Sequence, residues 1–287
     1  MLIDDVLEFC DLEYQNEECV QCNSKIVCDM NCNGCKQCLD DIHYHYNRYR
    51  DFYDCEKLLD YYVCRYSYKY CSEIIYALNE LDLSKYPYFH ILSLGCGAAP
   101  DLMAFDYMRY RHKILYWGVD KNTYLEKIHN FIENEYGKDS VRFYRNIDVL
   151  TYFETHTLAN CNILVIQYLI SFFYNDIGVN GLKKWFEQLA NNIVKYKPQN
   201  SPMLIIINDV DSINTGRDAF PLFVNEIEKV GLNISMELRK RFKNHDYYEN
   251  SEQYETKKNF FDIPENFISN YCVAISCESA QLILEVN

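Results

Sequence analysis

From Phe89 to Val210 the chain repeats one pattern: a short apolar run, a polar turn, then a stretch with helical spacing. The runs are FHILSLG, ILYWGVD (114–120), VRFYRNID (141–148), a segment within NILVIQYLISFF (162–173) and PMLIIINDV (202–210). Short apolar runs of this kind suit strands covered on both faces, and parallel strands need crossover helices between them. Leu102, Phe105 and Met108 supply helical spacing after the first run. TYLEKIHNFIENEYG is an amphipathic helix ending at Gly137, and GLKKWFEQLANNIVKY is a helix after the fourth run. A further helix is expected near 218–230, followed by NISMELRKRFK and YCVAISCESAQLILEV, which predict an antiparallel hairpin at the sheet edge. The expected fold is therefore α/β, with a mostly parallel sheet and a C-terminal antiparallel pair.

Upstream of this pattern the composition changes twice. Residues 1–40 are rich in cysteine and acidic residues, with few apolar runs. Residues 41–84 read as a helical connector, because Tyr49, Phe52, Cys55, Leu59, Tyr62, Tyr66, Tyr70, Ile74, Ala77 and Leu81 recur at three- and four-residue steps. Such a stripe is expected to be a buried face packed on the next domain, with an aromatic substrate-binding face as the alternative. Three parts are thus expected: a cysteine-rich module at 1–40, a connector at 41–84 and the α/β domain at 85–287. A chain of 287 residues with 49% hydrophobic content can bury a sizeable core, which argues against extended disorder.

The net charge of −14 argues against broad electrostatic attraction to nucleic acid. No run is apolar enough over about 20 residues to span a membrane. The opening MLIDDVLEFC lacks the pattern of a secretory leader, so a cytoplasmic location is expected. Ten of the 14 cysteines nevertheless precede residue 72, and a reducing compartment disfavours a disulfide scaffold. The run CVQCNSKIVCDMNCNGCKQC places Cys19, Cys22, Cys28, Cys32, Cys35 and Cys38 within 20 residues, with Cys10, His43 and His45 nearby. Cysteines two residues apart can grip one metal ion, and four thiolates close a tetrahedral zinc site. Structural zinc on these six cysteines is the expectation. An iron–sulfur cluster and redox-active thiols are the alternatives. CDMNCNGC also matches the Cys-x3-Cys-x2-Cys of radical enzymes, but the barrel those enzymes need does not follow it.

The loop LSLGCGAAPD carries the most chemical information. Gly95 and Gly97 allow a sharp turn and close backbone approach to a ligand, and the next helix offers free N–H groups. The second run ends in Asp120, where a carboxylate can accept hydrogen bonds from both ribose hydroxyls, and the third ends near Asp148. Pro100 stands where a dinucleotide loop wants a small residue for helix–strand packing, which favours a ribose-bearing ligand without a pyrophosphate.

On LSLGCGAAP, YWGVD, NID and LVIQYLIS the chain resembles the class I S-adenosylmethionine-dependent methyltransferases, a superfamily with a Rossmann-like sheet, over about 120 residues from 91 to 210. The resemblance implies S-adenosylmethionine as cofactor, with backbone contacts to its methionine part at Gly95 and Gly97. It puts Asp120 on the ribose, Asp148 near the adenine and Gln167 and Tyr168 beside the transferring methyl group, and it adds the neighbouring Cys96, Ala98, Lys121 and Val149 to the cofactor-binding set. The family's strand order would place the final hairpin in the sheet. Two positions depart from the pattern: Ser93 stands where many members carry an acidic residue, and Ala99 where a third glycine is common.

The resemblance leaves the acceptor open among small molecules, proteins and RNA, because IQYLIS lacks the Asn/Asp-Pro-Pro-aromatic stretch of base-amine methylation and no Pro-Cys pair occurs there. His156 and Asp209 are the candidate bases for deprotonating an acceptor. Arg239, Arg241 and Lys243 form the strongest basic patch, expected as a solvated edge strand, with binding of a phosphate-bearing acceptor as the alternative. The functional alternative to a methyltransferase is a scaffold that keeps the pocket without catalysis.

Overall fold

Each apolar run becomes a strand in the computed structural model, which describes residues 1–16, 34–44, 53–110, 113–158, 160–199, 201–212, 215–242, 251–253 and 258–287. These strands are β1 (Phe89–Leu94), β2 (Ile114–Asp120), β3 (Val141–Arg145), β4 (Ile163–Gln167) and β5 (Met203–Asp209). Three more follow: β6 (Ile234–Arg241), β7 (Ser251–Gln253) and β8 (Ala280–Val286). The described strands form one sheet in the order β3-β2-β1-β4-β5-β8-β6-β7. The first five are parallel; β8 runs antiparallel to both β5 and β6 and lies between them. All residues of β1, β5 and β8 are buried, as strands covered on both faces require.

The strand period of two divides the core into two layers. On one face Phe89, Ile91, Ile163, Val165, Leu204, Ile206 and Ile283 join a cluster with α1 (Leu2–Asn16), α3 (Glu56–Asn79), α4 (Pro100–Tyr107) and α5 (Glu126–Tyr136). On the other, Leu92, Leu94, Leu164, Ile166, Ile205, Ile207, Leu282 and Leu284 pack with α6 (Tyr152–Thr155), α7 (Ile170–Tyr196) and α8 (Phe220–Lys229). Burying each such aliphatic side chain contributes about 1.5–3 kcal/mol. None of the described helices is long and apolar enough to cross a membrane.

Three parts of the architecture differ from the sequence expectation. Residues 2–16 form a helix, and its Leu2, Ile3, Val6, Leu7 and Cys10 are buried against α3, α4 and α5. That spacing is helical, but cysteine-rich composition masked it in the sequence. The C-terminal pair is antiparallel as expected, yet β7 and α9 (Glu265–Tyr271) intervene, so the connection is long. Of YCVAISCESAQLILEV, only Ala280 onward belongs to strand β8: Cys272 (φ +48) caps α9, and Ser276 makes an isolated bridge to Lys258. Finally, β6 is not a solvated edge, since β7 pairs with it in parallel through Arg239, Lys240 and Arg241. The cysteine-rich segment falls largely outside the described residues: Cys19, Cys22, Cys28 and Cys32 lie there, while Cys35 and Cys38 are buried on α2 (Gly34–Tyr44). Among the described residues no three metal-binding side chains cluster.

Candidate functional site

The glycine loop leaves the carboxyl end of β1 through three left-handed residues, Gly95 (φ +67), Gly97 (φ +52) and Ala99 (φ +58). The Gly95 and Cys96 amides donate to the Val119 carbonyl at 2.9 and 3.1 Å, tying the loop to β2. Ala99 is the N-cap of α4 and Pro100 occupies its first turn, where a missing N–H costs nothing. The left-handed φ favours glycine at position 95, and a Cβ there would also press on the Leu169 side chain at 3.0 Å. A Cβ on Gly97 would meet nothing within 4 Å, so this residue faces open space.

Two side chains hold the Gly97 peptides. Its N–H donates to Asp120 Oδ2 at 2.9 Å. Its carbonyl lies 2.7 Å from His129 Nε2, which fixes the proton of the neutral ring on Nε2. His129 is buried and stacks on Phe143 at 3.9 Å, and this burial lowers its pKa to about 4. Asp120 Oδ1 accepts from the Asn122 amide at 2.9 Å. Burial raises the Asp120 pKa, opposed by the Asn122 and Gly97 amides. A carboxylate oxygen has two lone pairs, so each Asp120 oxygen keeps one acceptor site beyond its amide.

Opposite the loop stands α3, whose Tyr62, Tyr66 and Tyr70 recur at i, i+4 and i+8. They line a cleft together with Val63, Ser67, the loop residues Gly95, Cys96, Gly97, Ala98 and Pro100, and Gln167 and Tyr168 from the end of β4. The Tyr62 and Tyr70 hydroxyls are 3.3 Å apart, and the Gln167 amide donates to the Tyr70 carbonyl at 3.2 Å. His43 on α2 bridges the roof from behind, with Nε2 at 2.7 Å from the Tyr53 hydroxyl and Nδ1 at 3.3 Å from that of Tyr66. Burial, then the nearby Arg65 charge, lowers the His43 pKa to about 4. The aromatic stripe thus serves both expectations: α3 is packed into the core, and three of its tyrosines line the cleft.

Tyr168 turns the chain at the end of β4 with φ +54, rare for a residue with a β-carbon. Its amide donates to the Asn208 carbonyl at 2.8 Å, and its ring lies 4.5 Å from that of Tyr70. Its hydroxyl donates to the Glu73 carboxylate, at 2.9 and 3.0 Å from the two oxygens. Glu73 is fully buried and has Lys69 Nζ at 4.0 Å. Burial raises the Glu73 pKa, while Lys69 and the Tyr168 hydroxyl pull it down.

The structure brings six of the sequence-derived site residues into the cleft: Gly95, Cys96, Gly97, Ala98, Gln167 and Tyr168. Asp120 joins them through Gly97. Lys121 and Asp148 form a half-exposed ion pair at 3.6 Å, and the Lys121 ammonium also lies 5.1 Å from the Phe172 ring centroid. Val149 is buried in the core, and its carbonyl accepts from the Trp185 indole at 3.3 Å.

The bases named from sequence are otherwise occupied. Asp209 accepts amides from Ile170 (2.8 Å), Ser171 (3.2 Å) and Val210 (2.8 Å), so it caps α7. His156 stacks on Tyr152 at 4.8 Å and contacts Thr155. Arg241 is 1% exposed and shares the buried Asp211 with Arg217, a latch between the β5–α8 loop and β6. Arg239 pairs with Glu237 at 2.6 Å, and Lys243 lies outside the described residues. Glu73, Lys69 and His129 were missed in the sequence. Each is a polar residue inside a buried helical stripe, a position that signals a paired or functional group.

No protein-family model matches the chain, and no curated protein does either. Solved structures do. An O-methyltransferase family protein from Burkholderia thailandensis matches at 9% identity and a TM-score of 0.47, covering 99% of this chain and 71% of that one. A SAM-dependent methyltransferase from Leishmania major matches at 11% identity and 0.43, covering 75% and 72%. A SAM-dependent methyltransferase from Archaeoglobus fulgidus matches at 13% identity and 0.40, covering 75% and 94%.

Proposed function

We propose that the chain is an S-adenosylmethionine-dependent methyltransferase, with the cofactor seated between the glycine loop and the α3 tyrosines. The observation that carries this is the Gly97–Asp120 contact. It sets an open-faced glycine beside a carboxylate with spare acceptor sites, at the carboxyl ends of adjacent parallel strands. Ligands of open α/β sheets bind at that edge. In this arrangement Gly95, Cys96, Gly97 and Ala98 meet the methionine part. Asp120 takes the ribose hydroxyls, with Lys121, Asp148 and the backbone of Val149 toward the adenine. Gln167 and Tyr168 lie toward the methyl group. The cofactor supplies an electrophilic methyl group; the protein aligns the acceptor and excludes water. Titration of the purified chain with S-adenosylhomocysteine tests this, and absence of binding refutes it.

The cysteine segment is proposed to hold zinc through Cys19, Cys22, Cys28, Cys32, Cys35 and Cys38. Cys35 and Cys38 lie one helical turn apart on α2, the helix whose His43 reaches the cleft roof, and the spacing of the cysteines is what supports the reading. Elemental analysis is expected to find at least one zinc per chain, and metal-free protein with an equally protease-resistant segment overturns it.

A further inference from the structure

Methyl transfer to a protic nucleophile releases a proton, and Asp209 and His156 are not placed to take it. Tyr168 is. Its ring lines the cleft beside the glycine loop, and its hydroxyl donates to a carboxylate with no solvent exposure. The turn that aims it is left-handed, a strain that folds retain where surrounding contacts over-determine the geometry. Gln281 donates to the Glu73 carbonyl at 2.9 Å and to Asn208 Oδ1 at 2.7 Å, tying α3, β5 and β8 together behind the pair. Lys69 supplies a positive charge 4.0 Å from Glu73 and 5.0 Å from the Tyr168 ring centroid, which favours the ionised carboxylate.

Building on the cofactor placement proposed above, we propose that Tyr168 and Glu73 form a proton relay for methyl transfer, so that the acceptor is a hydroxyl or amine that must lose a proton. The acceptor's O–H or N–H donates to a lone pair of the Tyr168 oxygen. As the acceptor heteroatom bonds to the methyl carbon, the carbon–sulfur bond breaks and sulfur keeps its electron pair. The acceptor's proton moves to Tyr168 while the original Tyr168 proton moves to Glu73, which ends neutral and, having no solvent exposure, passes a proton back through Tyr168 to the cleft once product has left. Tyr168 is the catalytic residue, and Glu73 acts through it.

Donating to the Glu73 carboxylate makes the Tyr168 oxygen a stronger hydrogen-bond acceptor toward the cleft, and this can be read by binding alone. Sinefungin carries an amine-bearing carbon in place of the sulfonium centre, whereas S-adenosylhomocysteine has a neutral thioether there. Calorimetric titration of the full chain should give sinefungin an affinity at least ~10-fold above that of S-adenosylhomocysteine, as one charge-assisted hydrogen bond would supply. Tyr168→Phe and Glu73→Gln should bring the two affinities together by weakening sinefungin, with S-adenosylhomocysteine held as before. Tyr62→Phe, which removes a cleft hydroxyl away from Glu73, should keep the preference. A preference that survives both Tyr168→Phe and Glu73→Gln, or a wild type with no preference, overturns the relay but leaves the methyltransferase assignment standing. A wild type that binds neither compound overturns both. Should Glu73→Gln fail to fold, Tyr168→Phe decides alone, since it deletes a single oxygen.

Discussion

The floor and the roof of the cleft are built by opposite strategies. The floor is backbone: Gly95, Cys96 and Gly97 present peptide groups, fixed by hydrogen bonds donated to the neighbouring strand and to Asp120 and by one accepted from His129. The roof is side chain: Tyr62, Tyr66 and Tyr70 project from one helix, held by His43 and by ring contacts. A floor of this kind gives a fixed backbone surface and a fixed carboxylate acceptor at low entropic cost, whereas a wall of aromatic rings gives area and shape. The floor is therefore expected to set cofactor affinity and the roof to set what else enters.

The most severe test of that contrast is Asp120→Ala. It removes the acceptor that orients Gly97 and the carboxylate proposed to take two ribose hydrogen bonds. Hydrogen bonds to a charged acceptor are worth about 1.5–3 kcal/mol each, so affinity for S-adenosylhomocysteine should fall at least ~100-fold. A folded variant with unchanged affinity removes Asp120 from the site. The matching roof change, Tyr66→Phe, deletes a 3.3 Å contact to His43 and should alter the same affinity by less than ~10-fold. If the two losses are equal, the division between floor and roof fails.

A smaller effect separates the two histidines behind these surfaces. His129 beneath the floor and His43 behind the roof both have pKa values lowered to about 4 by burial. Unfolded histidine titrates near 6.5. Between these values the unfolded chain binds more protons, so each histidine destabilises the fold as pH drops from about 6.5 toward 4, and the effect levels off below that. At pH 5 this amounts to at most about 2 kcal/mol for each. Asp101 and Asp209, raised to about 6 by burial, act in the opposite sense over much of this range, so variants must be compared with wild type. Urea midpoints at pH 7 and pH 5 should show less acid sensitivity in His129→Gln and in His43→Gln. The difference should be larger for His129, the more buried ring. Equal acid sensitivity in wild type and His129→Gln would mean that the ring is already protonated at its Gly97 contact.

What could be read from the sequence follows the same division. The loop, Asp120 and the parallel strands are local signals: two glycines at a strand end, an acidic residue at the next strand end and continuous apolar runs. They require no knowledge of distant packing. The roof tyrosines are readable as a stripe at three- and four-residue steps, but contacts across long separations, such as Tyr168 with Glu73 at 95 residues, are not, because no periodicity reports those. α1 was hidden for a different reason. Its Leu2, Ile3, Val6, Leu7 and Cys10 carry a helical pattern, but the acidic residues between them and the cysteines after them dominate the composition. Asp209 shows the converse case: a carboxylate at a strand end suggests chemistry, yet three amides make it a helix cap.

The smallest expected effect lies at the rim, where the floor meets solvent. Lys121 and Asp148 sit 3.6 Å apart with side chains 50% and 39% exposed, so their mutual attraction is screened and worth at most about 1 kcal/mol. Asp148 Oδ1 also accepts the Leu150 amide at 2.9 Å, which shapes the turn after β3. Asp148→Ala should therefore change unfolding free energy by at most about 1–2 kcal/mol, counting the amide left to water. If Asp148 accepts a hydrogen bond from the adenine amino group, affinity for S-adenosylhomocysteine should still drop about 10-fold, while affinity for the inosine analogue, which lacks that amino group, should not. Lys121→Ala tests the alternative that the ion pair itself holds the rim. It should leave adenine discrimination intact and respond to salt, because an exposed pair is screened within about 8–10 Å at physiological ionic strength. If Lys121→Ala instead abolishes the preference for adenine over hypoxanthine, the rim works through the lysine, and Asp148 serves to position it.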